Sequence, residues 1–144
     1  MKILNKRKII IYAFILIFLP KFSLASNIYI DSEHKEFFAG DSVAFSVYVD
    51  SEGKDINAIE GNISIEYPND NAHINNLVLA GSNFSLWPKK PAPSRDGKSI
   101  SFVGGTPAGV NSKDSLVFKI ILNLEKPGKL VFNPTDFFVY LNDG

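Results

Sequence analysis

The chain has 144 residues, 45 % of them hydrophobic, with fifteen basic and fifteen acidic side chains and no cysteine. That is enough apolar material for one domain with its own core and too little for two. The missing cysteines exclude a disulfide scaffold and thiolate metal sites; the basic residues are scattered apart from Lys89-Lys90, which excludes the phosphate-neutralising patch of a nucleic-acid-binding protein.

Residues 1–25 read as a secretory signal. Lys2, Lys6, Arg7 and Lys8 precede an eleven-residue apolar run from Ile9 to Leu19, and Ser23-Leu24-Ala25 supplies small residues before a cut after Ala25. A membrane-spanning helix takes about 20 apolar residues, so this run is too short. Cleavage removes five basic residues and no acid, leaving residues 26–144 as an exported, extracellular or cell-surface domain of formal charge −5.

Strand signals recur along that domain. Ile28 to Ile30 is a short first strand, and Asp31 to Asp41 is a polar passage. Val43, Phe45, Val47 and Val49 alternate with Ala44, Ser46, Tyr48 and Asp50, the period of two expected when one face packs on a core. After the turn Asp50 to Asp55, Ile59, Gly61, Ile63, Ile65 and Tyr67 oppose Glu60, Asn62, Ser64 and Glu66; Gly61 predicts a bulge or a close backbone approach. Pro68 closes this strand.

Ile74 to Leu79 is a further strand, and Phe84 to Trp87 is a short strand or ordered loop. Arg95-Asp-Gly-Lys98 is a turn into the strand Ser99 to Val103, and Gly104 to Gly109 is read as the sharp turn that follows. Leu116, Phe118, Ile120, Leu122 and Leu124 form a long inward series opposed by Val117, Lys119, Ile121 and Asn123. Leu130 to Phe132 and Phe137 to Leu141 are the last two strands; an apolar strand running almost to Gly144 suggests a module of a longer protein, the alternative being a small complete protein whose final strand pins the terminus. Apolar residues show no helical period beyond the leader, so the chain is expected to be an all-β sandwich or barrel, the sandwich being favoured because several strands alternate cleanly and give two inner faces that must cover one another.

The segments INAIEGNISIEYP, LAGSNFSLWPKKP, GKSISFVGGTPAGV, SLVFKIILNLEKPG and FFVYLNDG resemble the cohesin-like domains of bacterial surface and cellulosomal proteins, over Ile28 to Gly144. The resemblance implies a nine-stranded jelly-roll sandwich and a noncatalytic role. In that role one sheet face holds a dockerin-like module, a small calcium-loaded helical protein, or another cell-surface component. It also implies that the strand after Asp55, the strand after Gly81 and the strand Leu116 to Leu124 supply the face. The outward residues Asn62, Ser64, Glu66, Val117, Lys119 and Ile121 are then the candidate contact patch.

Two other readings stay open. Trp87, Tyr48 and Tyr140 would suit a carbohydrate-binding module if they lined up in solvent, because aromatic faces stack on sugars; the alternative for Trp87 is that it closes the end of the sandwich together with Phe84. The chain could equally be a structural spacer. No catalytic residue is expected: the sole imidazoles are His34 and His73, and there is no G-x-S-x-G elbow. No cofactor is expected either. Asp50, Glu52 and Asp55, and Asp31, Glu33 and Glu36, crowd two turns whose oxygens would suit calcium, but neither group has the spacing of a calcium loop.

Overall fold

The computed structural model describes residues 27–32, 37–67 and 71–142. The leader, His34, Glu33, Glu36, Pro68 and Asp70 lie outside the described residues. Eight strands follow in order: β1 (Asn27–Ser32), β2 (Ser42–Asp50), β3 (Ile56–Glu66), β4 (Ala72–Val78), β5 (Leu86–Pro93), β6 (Ser99–Val110), β7 (Ser115–Leu124) and β8 (Val131–Leu141). They form two four-stranded antiparallel sheets, β1-β2-β7-β4 and β5-β6-β3-β8.

The core lies between the sheets, and the period-two residues fill it. Val47 and Val49 of β2 and Phe118, Ile120 and Leu122 of β7 face Ile59 and Ile63 of β3 and Ile100 and Phe102 of β6, all buried. Phe102 and Phe118 meet edge-on with centroids 5.1 Å apart, a ring contact that joins the two layers. Each such side chain contributes roughly 1.5–3 kcal/mol through burial, so the alternation in β2, β3, β6 and β7 fixes which face of each sheet is inner.

Three expectations change in the folded chain. Among the described residues there are eight strands and not nine, because the last two expected strands join in one, Val131–Leu141, that runs through Pro134. β8 is, among the described residues, an edge strand, paired with β3 alone, so a missing proline donor on its outer side breaks no ladder. For the same reason Pro88, Pro91 and Pro93 are accommodated in β5, at the opposite edge, and the short strand or ordered loop expected at Phe84 to Trp87 is the start of a strand of eight residues, Leu86–Pro93.

Nor is Gly104 to Gly109 a turn. It continues β6 to Val110, with Thr106 to Gly109 bulging opposite Asn57, since Ile56 pairs with Val110 while Ala58 pairs with Gly105. The chain reverses only after Val110. Gly104 is glycine because the Trp87 indole lies on it: an added Cβ would stand 2.8 Å from Cζ3 of that ring.

Candidate functional site

Three large apolar side chains stand in solvent on the outer face of the β5-β6-β3-β8 sheet: Leu86 (54 % exposed), Phe138 (56 %) and Tyr140 (48 %). Strand register puts them on opposite margins of that face. One row across the sheet reads Leu86, Gly105, Ala58, Tyr140, and the next reads Lys89, Val103, Glu60, Phe138. A third, polar row reads Ala92, Ser101, Asn62, Thr135. Two apolar margins on the edge strands therefore flank a floor of Gly105, Ala58 and Val103. With strands about 4.8 Å apart, the margins are about 14 Å apart.

A bulge in β8 sets this arrangement. Glu60 pairs with Phe138 and Asn62 with Thr135, so Asp136 and Phe137 both oppose Gly61, and Asp136 takes a positive φ of 48°. The extra residue shifts the alternation by one, sending Phe137 and Val139 to the core and Phe138 and Tyr140 outward. Gly61 makes room for the bulge, since a Cβ there would come within 2.9 Å of Phe137 Cδ2.

The face has one central charge. Glu60 Oε1 accepts a hydrogen bond from the Tyr140 hydroxyl, and this bond, followed by lost hydration and the Glu60 charge, raises the Tyr140 pKa above its ordinary value. Beside it is an open depression of about 220 Å³ lined by Glu60, Asn62, Lys89, Val103, Asp136 and Phe138, with Gly61 and Phe102 beneath.

The six residues of the expected contact patch do not come together. Asn62, Ser64 and Glu66 lie on this face along β3, but Ser64 donates to the Asn133 carbonyl (3.2 Å) and Glu66 accepts from the Asn133 side chain (2.6 Å), tying both to β8 at the polar end. β7 belongs to the other sheet, so Lys119 and Ile121 project from the opposite side of the sandwich. Val117 is no surface residue: Val47 pairs with Phe118 and Tyr48 with Leu116, which makes Val117 the extra residue of a β7 bulge, 0 % exposed. Of the three strands that the resemblance implied, β3 and β5 share one sheet and β7 lies in the other.

The aromatic residues expected to stack on sugars are also dispersed. Tyr48 is on the outer face of the β1-β2-β7-β4 sheet, stacked on Tyr29 at 5.3 Å, and the Tyr29 hydroxyl donates to Asp114. Loss of hydration, then Asp114, pushes the Tyr29 pKa up to about 12. Trp87 donates from Nε1 to the Phe84 carbonyl (3.1 Å) with one ring face on Gly104, while Phe84 is buried. Tyr140 is on the far side of the sandwich from Tyr48. Three rings on three surfaces make no sugar platform.

Asp50 is used within its own turn, where it accepts from the Glu52 N–H at 2.8 Å. Among the described residues no three His, Asp or Glu side chains converge as metal ligands. Sequence reasoning missed Leu86, Glu60, Lys89 and Phe138 as members of one face. Phe138 was within reach in the FFVY run, but without the bulge at Asp136 its side of the sheet could not be assigned.

No protein-family model and no curated protein matches the chain. Solved structures do. The cohesin module of a family 33 glycoside hydrolase from Clostridium perfringens superposes with a TM-score of 0.65 at 18 % identity, covering 85 % of this chain and 87 % of that one. The third ScaB cohesin of R. flavefaciens, solved in complex with a group 1 dockerin, superposes with a TM-score of 0.51 at 22 % identity, with the same two coverages. The fold is therefore the cohesin-type β-sandwich.

Proposed function

We propose that the protein is a noncatalytic attachment module that holds a helical, dockerin-like partner on the outer face of the β5-β6-β3-β8 sheet. The observation that carries this reading is the pair of apolar margins, Leu86 on one side and Phe138 with Tyr140 on the other, across a floor of small residues. The gap of about 14 Å matches an α-helix, which measures roughly 10–12 Å across with its side chains. Exposed aromatic residues of this kind dominate binding energies where they are found in interfaces. The R. flavefaciens cohesin is in complex with a dockerin, which supports the same class of partner for this chain. The leader supports a place outside the cell, at the surface or in the medium.

The test is isothermal titration of the domain, in calcium, with dockerin modules encoded in the same genome. Binding by at least one of them is expected, and Phe138→Ser should weaken it by about 2 kcal/mol or more, a loss typical of an interface anchor. Lys119→Ala, on the opposite face, should leave it unchanged. If no dockerin binds, or if Phe138→Ser and Tyr140→Ser bind as tightly as the parent, the reading fails.

A further inference from the structure

Glu60 is out of keeping with the surface around it. It sits in the second row of the face between Val103 and Phe138, one step from Ala58 and the apolar margin at Tyr140. A partner lying between the margins covers it. One carboxylate oxygen, Oε1, already accepts from Tyr140. The hydroxyl is neutral, and among the described residues no ammonium or guanidinium lies within ion-pair distance of Glu60. Lys89 occupies the same row two strands away, about 10 Å between backbones, and forms no such pair.

In the free protein, water solvates the charge. Under a docked partner it would be a desolvated anion with a single neutral donor, a state that costs several kcal/mol unless the partner brings a compensating cation. The depression beside Glu60 has the shape and chemistry to receive one. Two carboxylates, Glu60 and Asp136, line it against one ammonium, Lys89, so its lining keeps a net negative charge; the Asn62 amide adds an acceptor, and the exposed Phe138 ring forms part of its wall. A planar guanidinium satisfies this set better than an ammonium, because it can donate to several oxygens in one plane while stacking on an aromatic face.

We propose that the partner inserts an arginine into this depression, pairing with Glu60 beside Phe138, and that this pair sets partner choice. The inference rests on the attachment reading and adds to it the chemistry of the partner's central residue. Complementary charge at the middle of an interface acts mainly as a filter: a partner with an apolar or acidic residue there leaves Glu60 buried and unpaired.

A phage-displayed dockerin library with randomised helix surfaces, selected on the immobilised domain in calcium, tests it. Phe138→Ser identifies the clones that use this face. Among them, arginine should be enriched at one library position, and Glu60→Gln, which keeps an acceptor for Tyr140, should weaken them at least about thirty-fold. Replacing the selected arginine by methionine should cause a loss that does not add to that of Glu60→Gln. Selection on Glu60→Lys should exchange the arginine for an acidic residue. Face-dependent clones with no basic preference, or with affinity unchanged by Glu60→Gln, would overturn the arginine and leave the attachment reading intact. Clones indifferent to Phe138→Ser, or no clones at all, would remove both.

Discussion

Replacing Gly104 by alanine probes the joint between the edge strand β5 and the core. The added Cβ would lie 2.8, 3.1 and 3.2 Å from three atoms of the Trp87 ring, closer than carbon atoms pack, so the indole must move. It is held from its other end by the Nε1–H bond to the Phe84 carbonyl. Overpacking of this kind costs about 1–3 kcal/mol. Gly104 is not among the residues with positive φ, so alanine is unstrained there and returns about 0.4–1 kcal/mol by restricting the unfolded chain. The net expected loss is about 1–2 kcal/mol, or about 4–8 °C in Tm for a domain of this size.

Trp87 is the chain's sole tryptophan, so its fluorescence reports the same event. Emission should shift to the red as the ring leaves Gly104, and thermal unfolding followed by fluorescence and by far-UV circular dichroism should show one lowered transition. Trp87→Phe in the Gly104→Ala background should recover part of the loss, since the smaller ring relieves the contact and the two changes share one site. An unchanged or raised Tm with unchanged emission would refute the seating of Trp87 on Gly104.

Gly61→Ala should destabilise the domain by about 1–3 kcal/mol in chemical denaturation, because the new methyl meets Phe137 at 2.9 Å, with that residue's own backbone close behind it. Ile63→Ala, in the fully buried centre of β3, should cost about 2–5 kcal/mol, while Phe138→Ser should stay within roughly 0.5 kcal/mol of the parent as a surface change. Tyr29, with its pKa raised from 10.0 to about 12, holds its proton more tightly folded than unfolded. Its contribution to stability is therefore complete below pH 10 and lost as pH rises to 12, and Tyr29→Phe should flatten the fall in Tm across that window.

The inner residues were legible from the sequence wherever apolar side chains alternate, as in Val43 to Val49 and Ile59 to Ile65, because a strand with one buried face leaves no other choice. The sequence also marked Gly61 as a place of close approach, and Phe137 occupies it. What it could not supply was anything that depends on counting residues across two strands. The β7 bulge that buries Val117 and the β8 bulge that turns Phe138 and Tyr140 outward each add one residue to one side of a pair, and no local pattern records the partner's count.

Sheet membership was likewise decided only in three dimensions. Alternation tells which side of β3 and β7 is wet, but not that those wet sides face away from each other, which is why Lys119 and Ile121 were grouped with Asn62 and Ser64. Local alternation and burial determine the all-β character and the core by themselves, since the hydrophobic effect acts on each strand separately. The face that meets a partner exists only once β5, β6, β3 and β8 lie side by side, since Leu86, Glu60 and Phe138 become neighbours through long-range pairing alone.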